Sequence, residues 1–262
     1  MRKQTGIWIL LLATAAVILA ACLAPRVAQP LEYHKFADTR GWLGVPNFGD
    51  VASNLPFAIV GICGFLFLLS EKSKTRFLDQ RERIPYFILF FGMLLTAFGS
   101  SYYHWSPDNA RLVWDRIPMT IVFMSMVSAL IAERIRLRAG PYLLPFLLTI
   151  GIASVIQWHL SELNGHGDLR FYAAVQIYAL LILLVILLLP PRYTRGSDLA
   201  IVAAFYVLAK ILESTDRQIF AVGHAISGHT LKHLAAACAG YWILRMLQLR
   251  TPVATPQHTG KS

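Results

Sequence analysis

"SGHTLKHLAAACAGYWILRMLQ", residues Ser227–Gln248, opens with two histidines four positions apart and then continues as a largely apolar run. A membrane-spanning helix needs about 20 mostly apolar residues, and His229–Gln248 is long enough to supply one. This reading places His229 and His233 at the edge of a membrane helix. The rest of the chain agrees with it. The 262 residues are 56% hydrophobic and 15% charged, with a mean hydropathy of +0.54, too apolar for a domain with a solvated surface.

Seven further segments have a similar character: Gly6–Ala24, Asn54–Ser70, Tyr86–His104, Ile117–Ala132, Tyr142–Trp158, Tyr172–Leu189 and Asp198–Leu212. The loops between them are short and polar, and there is no clear internal repeat. The expected fold is all-α and integral to the membrane, a seven-transmembrane-helix bundle plus one N-terminal hydrophobic helix. Residues 1–24 form the N-terminal segment, 25–250 the membrane domain and 251–262 a polar tail. The first segment has a second reading: "LAAC" at Leu19–Cys22 resembles a bacterial lipoprotein signal, with Cys22 as the acylated residue.

The net charge of +10 needs no nucleic acid, because membrane proteins collect lysine and arginine in cytoplasmic loops beside anionic lipid. Fifteen of these residues fall on the side of both termini and seven on the other. The C-terminus is therefore expected in the cytoplasm, as in a bacterial inner membrane, and the histidine end near the outer, periplasmic leaflet. Cys22, Cys63 and Cys238 show no paired spacing, which argues against a disulfide framework or a zinc–thiolate site.

This topology brings distant polar residues to one depth. The third segment ends "TAFGSSYYHWSPDNARLVWDRIPM", so His104 meets His229 and His233 near the same face. Residues i and i+4 share a helix face, with Cβ atoms about 6 Å apart. A third imidazole from a neighbouring helix would complete the three-nitrogen, one-open-position arrangement of catalytic zinc. Ser100 lies one turn before His104, and Asp115 is read as opening the fourth helix across a ten-residue connection. Simpler roles exist for each. HxxxH arises by chance, Asp115 suits an N-cap with Pro118 in the first turn, and Ser100 and Ser101 suit helix packing. Convergence of all these residues at one depth favours a site, since ionisable groups within spans are costly.

At these residues the chain resembles the alkaline ceramidases, within a superfamily of seven-helix membrane hydrolases that also contains adiponectin-receptor-like proteins. The matching pieces are "SNLPF" at Ser53–Phe57, "SSYYH" ending at His104, "DRIPM" at Asp115–Met119 and "HTLKH" at His229–His233, in the expected order over about 180 residues. The resemblance implies a zinc-dependent amidase cleaving ceramide or a related N-acyl lipid. His104, His229 and His233 would hold Zn2+, Ser100 would stabilise the oxyanion, and Asp115 would activate the attacking water. Zinc chemistry and a nearby carboxylate suit amide hydrolysis.

The chain also departs from that pattern. Arg116 stands where the family commonly has an acidic residue, and would pair with Asp115 or meet a lipid headgroup. A family-type Ca2+ site would fall on Asp38, Asn47 and Asp50, where Asn47 replaces an expected acid and calcium prefers several oxygen ligands. His224 and Lys232 are further substrate or supporting candidates, Lys232 pointing away from the two histidines. His159, Glu162 and His166 read as loop residues, and Lys210 with Glu213 as an i, i+3 ion pair. The expected partner is a membrane lipid substrate; no protein partner is inferable. Rival readings are a lipid-responsive receptor or haemolysin-like member with a structural metal site, and a small proton-coupled transporter.

Overall fold

The computed structural model describes residues 3–253, so nearly all of the expected polar tail lies outside the described residues. The helices are α1 (Lys3–Leu23), α2 (Phe48–Ala52), α3 (Leu55–Leu69), α4 (Glu71–Lys74), α5 (Arg83–Trp105), α6 (Asn109–Arg134), α7 (Ala139–Leu163), α8 (Arg170–Leu187), α9 (Asp198–Ser214), α10 (Asp216–Ala221) and α11 (Gly228–Leu249). There is no β-strand among the described residues beyond two isolated bridges. A helix occupies each of the eight apolar segments.

Six stretches are long and apolar enough to cross a membrane: Gln4–Leu23, Phe48–Leu69, Gln80–Trp105, Asn109–Arg134, Ala139–Leu163 and Arg170–Leu187. The remaining two long helices differ for physical reasons. α9 is 17 residues long, and α11 begins with His229, Lys232 and His233 and ends with Arg245 and Gln248. Burial runs opposite to that of a water-soluble protein. Phe98, Phe146 and Leu188 are about two-thirds exposed on the outside of their helices, while Asp50, Asn54, His104, Thr120 and Ser125 are wholly buried. An outer surface of this kind requires a lipid solvent, with polar groups satisfied inside.

α3, α5, α6, α8, α9 and α11 form a ring in that order, closed by the contact of α11 with α3, while α7 packs outside against α6 and α8. α1 lies along α8, where Thr14 Oγ1 and the Tyr178 hydroxyl are 3.1 Å apart. The ring encloses a cavity of about 170 Å3 walled mainly by apolar side chains, including Phe57, Met93, Met119, Phe123, Leu183 and Ile243.

Two N-caps set the site end of the bundle. Asp108 accepts a hydrogen bond from the backbone N–H of Arg111 at 2.7 Å, so α6 starts after a three-residue turn, Ser106–Asp108. This corrects the expected start. Asp115 is not an N-cap but lies about two turns inside the helix, and Pro118 is internal. Ser227 caps α11 by accepting from the Thr230 N–H at 3.0 Å, which fixes the first turn that carries His229.

Candidate metal centre

His104 comes from the last turn of α5, and His229 and His233 come from the first two turns of α11. All three are buried, and one nitrogen of each lies within 4.8 Å of the others. Their ring centroids are 4.8 to 4.9 Å apart. His104 Nε2 and His229 Nε2 face each other at 3.3 Å. A tetrahedral ion with metal–nitrogen bonds of about 2.0–2.1 Å has a ligand–ligand edge of about 3.4 Å, so this spacing suits zinc.

The surroundings hold the rings in place. Ser53 Oγ donates to the Asp50 carbonyl at 3.1 Å and lies 2.8 Å from His233 Nδ1. With the hydroxyl proton directed to that carbonyl, His233 Nδ1–H donates to Ser53 and Nε2 is left bare for a cation. The Asp216 carboxylate accepts from the His229 backbone N–H at 2.8 Å, and Asn47 Nδ2 donates to the His104 carbonyl at 2.8 Å. Phe36 covers the group, its ring 4.6 Å from that of His104 and 4.5 Å from that of His229. His104 Nδ1 is buried and has no hydrogen-bond partner among the described residues. The donor set is three buried neutral-type nitrogens, which fits zinc and also fits other imidazole-preferring divalent metals.

Ser100 and Asp115 are brought together by the closest approach of α5 to α6. Gly99 sits against the Trp114 carbonyl, where a Cβ atom would lie only 2.0 Å from the oxygen. Pro118 has no N–H to give to the carbonyl four residues earlier, so the Trp114 oxygen is free of its usual helical donor. The next residue on each helix, Ser100 and Asp115, lies on the wall of the central cavity together with His233. Both are buried. The mainly apolar cavity wall therefore carries Ser100, Asp115 and His233 as polar groups beside the histidine cluster.

The other sequence candidates separate clearly. Lys232 does not point away from the site: its Nζ is 3.0 Å from Glu213 Oε1, and both residues line the cavity beside His233. Lys210 binds the other oxygen of Glu213 at 2.8 Å. Their i, i+3 pairing was visible in sequence, but the junction with Lys232 on another helix was not. Arg116 makes no ion pair with Asp115. It stacks on Trp158 at 4.1 Å and Tyr172 at 4.5 Å, and Nη2 donates to Gln29 Oε1 at 2.5 Å. His224 is exposed in the turn before α11, edge-on to Phe220 and outside the cluster.

The calcium candidates are committed elsewhere. Asp38 is gripped by Arg40 through both carboxylate oxygens, at 2.8 and 2.7 Å, and this guanidinium holds its carboxyl below the ordinary range. Asp50 accepts from Thr230 Oγ1 at 2.7 Å, and Asn47 gives its amide to His104. Asp50 Oδ2 has no hydrogen-bond partner among the described residues, but with Asp38 held by Arg40 the three residues offer fewer than the six or more oxygens that calcium takes.

Sequence reading missed Ser53 as a histidine partner, Asp216 as an anchor, Phe36 as a cover and His34, whose ring bonds the Tyr103 hydroxyl at 2.8 Å and Asn109 at 2.9 Å. Ser53 lies in the quoted "SNLPF" stretch, so its neighbourhood was flagged; the others carry no local signal. No protein-family model and no curated protein matches the chain.

Proposed function

We propose that this chain is a membrane-embedded, zinc-dependent amide hydrolase that cleaves ceramide or a related N-acyl lipid into a fatty acid and an amine. The observation that carries the reading is three converging imidazoles, one of which, His233, lines a mainly apolar cavity together with a serine and a carboxylate. A zinc ion held by His104, His229 and His233 would supply a Lewis acid for the acyl carbonyl and a more acidic water. Asp115 takes a proton from the attacking water and returns it to the departing nitrogen. Ser100 Oγ donates to the carbonyl oxygen as negative charge develops there. The apolar part of the cavity takes the acyl chain and excludes bulk water, while Phe36 blocks direct access from the adjacent aqueous face.

In this reading α1 is followed by a seven-span bundle of α3, α5, α6, α7, α8, α9 and α11. The C-terminus is cytoplasmic and the histidines lie near the periplasmic leaflet of a bacterial inner membrane, as the distribution of positive charge favours. Purified protein should bind about one zinc per chain and release fatty acid from ceramide in detergent micelles. His233→Ala should lose both. Ceramide turnover that survives chelation, or bound zinc with no turnover of any N-acyl lipid, would overturn the proposal; the second result is the one a receptor would give.

A further inference from the structure

A second pocket of about 390 Å3 abuts the central cavity, with which it shares Gln176, Leu180, Tyr206, Lys210 and Glu213. Its other wall is Arg116, Tyr33 and Tyr172. Arg116 is 4% exposed, yet no carboxylate lies within ion-pair distance of it among the described residues. The other deeply buried cations near carboxylates all have partners: Arg134 and Arg250 have Glu133, and Lys232 has Glu213. Arg116 has instead three aromatic faces and one amide oxygen, and its buried Nη1 has no hydrogen-bond partner among the described residues. Cation–π contacts offset part of the cost of burying a guanidinium, but they do not satisfy an N–H. The carboxylate in this pocket, Glu213, is neutralised by two lysines and adds no demand for a further cation.

We infer that the Arg116 pocket is the headgroup site and that it takes an anionic oxygen group, a carboxylate or a phosphate, carried by the N-acyl lipid close to its amide. This rests on the proposed amide hydrolysis and narrows its substrate class. Arg116 directly follows Asp115, and the two pockets lie side by side, so a lipid with its acyl chain in the central cavity has its headgroup in the neighbouring Arg116 pocket. The stacked guanidinium is held in one orientation with Nη2 on Gln29, so it offers such a group a charge-assisted contact at its remaining N–H positions.

The test compares three substrates: ceramide, an N-acylglycine and a ceramide 1-phosphate of equal acyl length. Zinc-loaded wild type should favour one anionic substrate over ceramide by about 10- to 100-fold in kcat/KM, and which one identifies the carboxylate or the phosphate. Arg116→Gln should abolish that preference through KM, lowering kcat/KM for the favoured anionic substrate more than for ceramide, and Arg116→Lys should restore part of it. Equal use of all three by wild type, or an equal loss on all three in Arg116→Gln, would overturn the inference and leave amide hydrolysis standing. A binding arm needs no turnover. A non-hydrolysable alkyl phosphate or alkyl carboxylate amphiphile should perturb the tryptophan emission of wild type and not of Arg116→Gln, and Trp158→Phe should remove the change. If no substrate is cleaved and neither amphiphile is sensed, both readings fall; anion binding without cleavage removes only the hydrolase. Should Arg116→Gln not fold, Arg116→Lys and the unmodified protein decide through the same substrate ratios and the same emission change.

Discussion

Ser53 and Asp38 show how single side chains prepare this site at a distance from any reaction. Ser53 is a hydrogen-bond partner of His233 Nδ1, and polar groups behind a metal-binding histidine commonly contribute 10- to 100-fold in affinity. Ser53→Ala should therefore weaken zinc binding by about that factor, measured by competition with a chromophoric chelator, with little change in thermal stability of the apoprotein. Asp38 ties the segment before α2 to Arg40, and Arg40 reaches on to the Ala225 carbonyl at 2.9 Å. Because the folded carboxyl is held below its unfolded value, its contribution is present above the ordinary carboxylate range and lost as pH falls through the folded value. Hydrogen-exchange protection factors in residues 36–47, corrected for the intrinsic pH dependence of exchange, should therefore be flat from about pH 8 to 5 and fall below about pH 4, and Asp38→Asn should remove that acid step. Neither role is visible as a pattern along the chain. The three histidines were, because their type and four-residue spacing report chemistry before contacts are known.

Helix pairs decide how closely the reactive groups meet. At Gly99 the α5 backbone contacts the Trp114 carbonyl with no room for a Cβ atom, so Gly99→Ala must push the helices apart. The expected result is a loss of about 1–3 kcal/mol in stability together with a larger loss of hydrolysis, since Ser100 and Asp115 separate. Gly240 makes an instructive comparison. Its added methyl would meet the flexible end of Met93 and come within ordinary contact of Val60, so Gly240→Ala should cost about 1 kcal/mol or less and reduce activity less than Gly99→Ala does. Thermal denaturation in detergent and fatty-acid release measure both. A Gly240→Ala variant as damaged as Gly99→Ala would refute the seam as the special feature. The helical segments themselves were legible from hydropathy, but their ends were not. Asp108 took the cap that sequence reading gave to Asp115, because capping depends on the turn Ser106–Asp108 and not on where apolar residues begin.

At the scale of the whole molecule two devices hold the ring closed, one at each end. Away from the histidines, Arg250 is wholly buried, pairs with Glu133 at 2.7 Å and stacks on Tyr193 at 4.0 Å and Phe77 at 4.5 Å. Tyr193 in turn donates to Glu82 at 2.7 Å. Arg250→Ala strands a buried carboxylate and should lower stability by about 3–5 kcal/mol, while Arg250→Ala with Glu133→Gln should recover part of it, by the same denaturation assay. At the other end the histidines join α5 to α11, so zinc at 100 times its dissociation constant should add about 2.7 kcal/mol, lost on chelation. What the sequence by itself determined is the solvent and the element list: apolar runs of membrane length must be helices, because lipid leaves backbone polar groups no other partners. It also marked the imidazoles, Ser100 and Asp115. Only the tertiary structure decided that Arg116 stands in an aromatic cage without a counter-ion, that Lys232 faces the cavity, and that Asp38 is spent on Arg40. Those outcomes depend on which side chain from a distant helix reaches a charge first, and no local spacing encodes that distance.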